Sequence, residues 1–268
     1  MLYQEQAIEV NGYQAKVTFY VLDNSPEIEE KRTRPMVIIC PGGGYSMVSD
    51  REAEPVAIQM NGMGFHACIL RYSVHPATFP TALVQLAKTV MMVREHASDW
   101  RVDPDRIIVT GFSAGGHLAA SLGTLWQEKF LEDILKLPKD SYKPNGMILS
   151  YPVISSGAYG HEWSFQKLLG DQYGELREKL SLENQVSEYT PPAFIWHTFD
   201  DTVVPVENSL LMVNALREKK IPFELHIYPK GEHGLSLANE ETGGKNKNVI
   251  QRECQNWITL AGTWIKNL

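Results

Sequence analysis

The chain has 268 residues, of which 43% are hydrophobic and 21% charged. It can bury roughly three-quarters of the surface its unfolded form exposes, which rules out a disordered segment or a disulfide-stapled mini-protein. Lys and Arg number 25 against 32 Asp and Glu, a net charge of −7 without a basic run. That balance argues against a nucleic-acid binder, because phosphate neutralisation supplies most of that affinity.

Met1 to Val10 is polar and acidic, without the basic and apolar regions of a signal peptide. No stretch approaches the roughly 20 apolar residues of a membrane span, so a cytoplasmic location without a membrane partner is expected. Ala15 to Leu22 alternates through Val17, Phe19 and Val21, as a half-exposed antiparallel strand does. Met36 to Cys40 is a continuous apolar run, expected for a strand covered on both faces, and it ends in Pro41-Gly42-Gly43-Gly44. Glu52 to Met60 has helical spacing, and His66 to Arg71 reads as a strand. Thr81 to His96 is a predicted helix with Leu83, Leu86, Ala87 and Val90 on one face. Arg106 to Thr110 is a strand, Ser113 to Trp126 a helix, and Gly146 to Ser150 a strand. Residues 155–190 interrupt the rhythm and read as a small cap or a surface insertion. Ala193 to Phe199 and Phe223 to Tyr228 are strands flanking a helix from Glu207 to Lys219, and Asn248 to Ile265 is a closing helix. Strands alternating with helices imply an α/β fold, a mostly parallel sheet covered on both faces.

Gly111-Phe112-Ser113-Ala114-Gly115 is a G-x-S-x-G pentapeptide. Alone it reads as an ordinary glycine-rich helix start. Here a strand ends directly before it and a helix begins directly after it, the context of a nucleophilic serine on a sharp turn. A serine hydroxyl is too weak an acid to attack an ester unaided, so a base is needed. At such sites an acid and then a histidine follow the serine in the chain. Downstream, His117 lies one helical turn past Ser113, His161 lies in the insertion, and His197 and His226 lie inside predicted strands. His233, in Gly231-Glu232-His233-Gly234, sits on a loop after a strand and is the expected base. Asp200 and Asp201 both follow the strand Ala193 to Phe199, and the pattern alone does not separate them. The glycines after Pro41 let backbone N–H groups approach a substrate oxyanion. Gly43, Gly44 and Ala114 are the expected donors, in preference to a plain flexible turn. A dinucleotide loop does not fit, because the third glycine of its fingerprint would fall on Met47. The three cysteines, Cys40, Cys68 and Cys254, are odd in number and match no zinc spacing, so they read as core residues of a reduced protein, and no metal or cofactor is expected.

Together these residues resemble the α/β-hydrolase superfamily, and within it the small esterase/lipase-like proteins related to acetylxylan esterases and to the hormone-sensitive-lipase branch. The resemblance is carried by Pro41-Gly42-Gly43-Gly44-Tyr45, Ser49-Asp50-Arg51-Glu52, Leu70-Arg71-Tyr72, Asp105-Arg106-Ile107, the serine pentapeptide with Gly116-His117, His197 to Pro205, and Gly231 to Gly234. It covers most of the chain from Met36 onward. It implies an α/β-hydrolase fold in one domain, 1–268, and a Ser113–His233–Asp201 triad, since the family's acid is the Asp of an Asp-x-Val-Val-Pro pattern. Pro41 stands where the hormone-sensitive-lipase branch usually has His, which moves the expectation toward acylated sugars.

The expected function is a serine carboxylesterase that removes short acyl groups, acetyl foremost, from sugars or xylo-oligosaccharides through an acyl-enzyme. Its expected partner is a small-molecule or oligosaccharide ester, and a homodimer is compatible with the sequence. Tyr45 and Tyr151 are expected substrate contacts, with Trp163 as a further candidate. Competing readings are a feruloyl-type esterase, which needs a longer aromatic acyl slot, and a small serine peptidase of the same fold, whose relatives usually carry another large domain. A non-catalytic binding protein of this fold would be expected to lack a triad member.

Overall fold

Central strands that are apolar at every position are covered on both faces. The computed structural model describes residues 1–268 and shows this layering. The strands are β1 (Leu2–Val10), β2 (Tyr13–Val21), β3 (Arg34–Cys40), β4 (His66–Arg71), β5 (Val102–Phe112), β6 (Gly146–Ser150), β7 (Ala193–Thr198) and β8 (Phe223–Tyr228). They form one sheet in the order β1-β2-β4-β3-β5-β6-β7-β8. β2 is antiparallel to both of its neighbours, and the remaining pairs are parallel. Along β3, Met36, Ile38 and Cys40 enter one core while Val37 and Ile39 enter the other, the period of two that a pleated strand imposes. The first core is closed by the helices Thr81–Glu95, Ala114–Leu125 and Glu207–Glu218, and the second by Glu54–Gly62 and Trp257–Asn267. This is the α/β-hydrolase fold expected from the sequence. Residues 155–190 include the helix Glu162–Leu169, whose Phe165, Leu168 and Leu169 join the first core. No helix is long and apolar enough to cross a membrane.

Three elements differ from the sequence expectation. The polar N-terminus forms β1, an edge strand with only Ile8 and Val10 buried. Asn11 and Gly12 both take positive φ (54° and 77°) and join it to β2 in a tight hairpin. β5 begins at Val102, ahead of the expected Arg106, with its register to β3 shifted between the Arg34 and Met36 pairings. The closing helix begins at Trp257, because helical apolar spacing starts only there, through Ile258, Ala261 and Ile265. The polar stretch before it makes two short turns, Lys247–Val249 and Arg252–Cys254.

Two histidines are packed into the fold as neutral rings. His66 Nδ1 accepts from the Leu22 N–H at 3.0 Å, and its Nε2 donates to the Arg101 carbonyl at 3.4 Å. His117 Nδ1 accepts from the Tyr45 hydroxyl at 2.9 Å, and its Nε2 donates to the Leu180 carbonyl at 3.0 Å. Burial pushes both from the ordinary 6.5 down to about 4. Above pH 6.5 neither state binds the proton. Between 6.5 and 4 only the unfolded chain does, so stability falls with pH over that window by about 3 kcal/mol per histidine. The urea midpoint is therefore expected to drop between pH 7 and pH 4.5, and to drop less steeply in His66→Gln. Equal slopes in the two proteins would contradict the neutral burial of His66.

Candidate active site

Ser113 stands between β5 and the helix Ala114–Leu125 with φ 52° and ψ −118°, a backbone conformation that side-chain-bearing residues rarely adopt. The turn is held by close backbone packing. A Cβ on Gly111 would overlap the Gly115 carbonyl, and one on Gly115 would overlap the Cys40 carbonyl. One on Gly116 would lie 2.8 Å from Pro152 Cβ. The strained residue's own backbone is fully bonded. Its N–H donates to the Ser150 carbonyl at 3.0 Å, and its carbonyl accepts from His117 and Val153, each at 3.1 Å.

β7 and β8, which lie beyond β6 in the sheet, deliver the partners at the same carboxyl edge. His233 lies on the loop after β8, between Gly231 (φ 145°) and Gly234 (φ 79°). Ser113 Oγ donates to His233 Nε2 at 2.8 Å, and His233 Nδ1 donates to Asp201 Oδ2 at 2.6 Å. The carboxylate fixes which ring nitrogen carries the proton. Asp201 Oδ1 accepts the N–H groups of Val203 and Val204, both at 2.9 Å, so the acid is locked in the turn after β7. Asp200 is exposed and makes none of these contacts.

The Gly42–Tyr45 loop lines the cleft beside Ser113. Gly43 and Gly44 have φ of 136° and 62°, and a Cβ on Gly43 would overlap the Met47 carbonyl. Their N–H groups donate to nothing within the protein, whereas that of Gly42 is taken by Glu52. Ala114 opens its helix, so its N–H has no acceptor within that helix. The structure thus brings Ser113, His233, Asp201, Gly43, Gly44 and Ala114 together.

It does not bring Tyr45 and Tyr151 to the cleft surface. Both are buried, at 3% and 1% exposure. Tyr45 bonds His117 beneath the site. The Tyr151 hydroxyl donates to Glu52 Oε1 at 2.6 Å, and its ring meets His233 edge-on at 5.1 Å between centroids. Burial and the neighbouring Glu52 hold its phenol well above the ordinary value, so it stays protonated. Both tyrosines are therefore packed beneath the cleft and do not face it.

Two participants escaped the sequence reading. His197, fully buried, donates from Nε2 to the Val204 carbonyl at 2.9 Å and leans on Asp201 Oδ2 at 3.3 Å, while its Nδ1 meets Ser209 Oγ at 2.8 Å. Its place four residues before Asp201 at a strand end was the available signal. Burial alone would raise the Asp201 pKa. Hydrogen bonds from His197 and His233 and the Val204 N–H outweigh it and hold the carboxyl well below the usual range. Glu52, 4% exposed, is the other, inside the Ser49–Glu52 stretch that carries the resemblance.

A serine after β5, a carboxylate after β7 and a histidine after β8, brought together at one edge of this sheet, define an α/β hydrolase. Comparison with known proteins agrees: the BD-FAE family matches residues 22–216. The chain belongs to the BD-FAE family and is related to acetylxylan esterases. It is 40% identical over 213 residues to endo-1,4-beta-xylanase B of Butyrivibrio fibrisolvens, covering 78% of this chain and 33% of that protein. It is 31% identical over 230 residues to an acetylxylan esterase of Xylanibacter ruminicola, covering 83% and 45%. The chain therefore spans less than half the length of these two relatives. Among solved structures, the acetyl ester-xyloside bifunctional hydrolase of Caldicellulosiruptor lactoaceticus superposes with a TM-score of 0.81 at 38% identity, covering 96% of this chain and 89% of that one. The carboxylesterase Cest-2923 of Lactobacillus plantarum superposes with a TM-score of 0.88 at 30% identity, covering 100% and 98%.

The lowered pKa of Asp201 makes a stability statement. A carboxyl held lower in the fold than its ordinary 3.8 stabilises the fold above about pH 4, and that contribution is lost as pH falls toward the folded value. Asp201→Asn is expected to unfold at lower urea than the wild type at pH 7, with a gap that narrows steadily below pH 4. A gap independent of pH would show that the carboxylate charge contributes nothing.

Proposed function

We propose that the protein is a serine carboxylesterase that removes short acyl groups, acetyl foremost, from sugars or xylo-oligosaccharides. The observation that carries this reading is the unbroken chain Ser113–His233–Asp201, at 2.8 and 2.6 Å, beside two unused N–H groups on the Gly42–Tyr45 loop. His233 takes the proton of Ser113 as the hydroxyl oxygen attacks the ester carbonyl. Asp201 stabilises the imidazolium so formed. The N–H groups of Gly43, Gly44 and Ala114 hold the tetrahedral oxyanion. Collapse expels the alcohol with the proton from His233, leaving an acyl-Ser113. Water, deprotonated by His233, then releases the acid and frees the serine.

Several features support the substrate class. Ser113 opens on a cleft of about 460 Å³ whose only hydrophobic side chains are those of Met47, Trp163 and Val203. Beside the serine, Tyr45, His117, Val153, Phe165 and Leu168 pack without space for even one water, so no long acyl tunnel runs beneath it. That favours acetyl over a feruloyl-sized acyl group. On the alcohol side, His161 and Trp163 form the wall contributed by residues 155–190. His161 bonds Ser164 through Nδ1 at 2.7 Å, and its Nε2 has no partner in the protein. Burial, and then His233, lower its pKa, so it meets a hydroxyl as a neutral ring. Trp163 is 52% exposed. Its Cδ1 would lie 3.1 Å from a Cβ on Gly44, so the indole stands over the glycine loop. An aromatic plate beside hydrogen-bonding groups suits the apolar face and hydroxyls of a sugar ring. The names of the relatives, a xylanase and an acetylxylan esterase, point to the same chemistry.

Acetate release from acetylated xylo-oligosaccharides is expected for the wild type and is expected to fall by about 10⁴-fold or more in Ser113→Ala. Release retained in the variant would overturn the serine mechanism. Release by neither protein, with Ser113-dependent cleavage of simple aryl acetates, would overturn the sugar assignment alone. Trp163→Ala is expected to raise KM several-fold for the oligosaccharide, on a contact of about 1 kcal/mol, and to leave KM for a small aryl acetate unchanged. Equal effects on both substrates would remove Trp163 from sugar recognition.

A further inference from the structure

Glu52 is a buried carboxylate without a cation. Its Oε2 accepts the Gly42 N–H at 2.7 Å, and its Oε1 accepts the Tyr151 hydroxyl at 2.6 Å. The proton inventory of this cluster is closed. The Gly42 N–H can only donate. The Tyr151 oxygen already accepts the Ser236 N–H at 2.8 Å, so its single proton goes to Glu52. Both oxygens of Glu52 therefore accept, as those of an ionised carboxylate do, and neither of its partners carries a charge. Burying an anion in this way is costly, and fixing its two partners is what offsets the cost.

The two partners belong to two different loops of the site. Gly42 precedes the free N–H groups of Gly43 and Gly44, and a Cβ on it would lie 2.8 Å from Glu52 Oε2 and 3.1 Å from Ser113 Cβ. Tyr151 reaches Ser236 on the loop that carries His233, and its ring touches His233 itself. The neighbouring Arg51 fastens the same loop, donating to the Gly234 carbonyl at 3.0 Å, while Ser236 Oγ donates back to the Arg51 carbonyl at 2.6 Å. We propose that Glu52 is a positioning residue for the oxyanion hole. By occupying the Gly42 N–H it fixes the glycine loop so that the next two N–H groups face Ser113, and through Tyr151 it sets that loop in register with His233.

This inference rests on the serine-esterase reading, and the experiment separates the two. Glu52→Asp keeps the charge but shortens the reach by one methylene, so it cannot span Gly42 and Tyr151 together. Glu52→Gln keeps the reach and the bond from the Gly42 N–H, but sets an amide donor against a Tyr151 oxygen that already accepts from Ser236, so only the tyrosine end of the link is lost. Active sites are counted by titration with a fluorophosphonate, so that misfolded protein does not enter the rate. Per active site, Glu52→Asp is expected to lose about 10²-fold in kcat with KM little changed, and Glu52→Gln much less. A trifluoromethyl ketone, whose adduct places an oxyanion in the same hole, is expected to bind Glu52→Asp more weakly by a similar factor. A merely structural role would lower the number of titratable sites and leave both per-site quantities unchanged. Values within about twofold of wild type in Glu52→Asp would overturn the proposal. If Glu52→Asp does not fold, Tyr151→Phe removes one hydroxyl from the same link and is read in the same way. Failure of the esterase reading shows separately, as turnover that survives Ser113→Ala.

Discussion

The turn at Ser113 is the constraint on which the rest of the structure depends. A serine at φ 52° is unfavourable on its own, and it persists because the surroundings leave the chain no alternative. Gly111, Gly115 and Gly116 bring the helix so close to β5 and β3 that any side chain at these positions would collide with a neighbour. Ser150 and Val153, at the end of β6 and just beyond it, bond the serine's backbone. The Ser113 hydroxyl is therefore presented by the backbone packing of the sheet and helix.

Once that oxygen stands at the carboxyl edge, the neighbouring strand ends need to supply only proximity. β7 ends in a turn that ties Asp201 down through two backbone N–H groups and His197. β8 ends in a glycine-flanked loop that carries His233 back across. The hydrogen-bond chain does not follow the strand order: the loop after β8 reaches back past the end of β7, so that His233 lies between Asp201 and Ser113. Its electrostatics follow from burial: a carboxylate with four donors around it remains ionised, and the imidazole it holds can offer its other nitrogen to the serine.

The parts of the molecule legible in the sequence were those whose chemistry is local. Buried parallel strands announce themselves as apolar runs, and the serine turn needs its glycines at fixed spacing, so both could be read from residues in line. Asp201 was separable from Asp200 only through the family pattern; the structure adds the backbone bonds that lock it in its turn. β1 was overlooked because a solvated edge strand has too few buried positions to show a pattern, although Asn11-Gly12 carried the hairpin signal. Glu52 and the burial of Tyr45 and Tyr151 were beyond reach, since each depends on a partner tens of residues away or on how loops fold over a strand end, whereas His197 was signalled only by its place four residues before Asp201. A tyrosine near a glycine loop looks the same in sequence whether it faces substrate or the core.

The central claim is that the sheet, through this turn, makes Ser113 a nucleophile activated by His233. The most direct measurement is peptide mass spectrometry after brief exposure to a fluorophosphonate probe, comparing the wild type with His233→Ala. The account predicts a single modification, on Ser113, in the wild type, and little or no labelling in the variant over the same time. Labelling on another residue, or equally rapid labelling of Ser113 without His233, would contradict it.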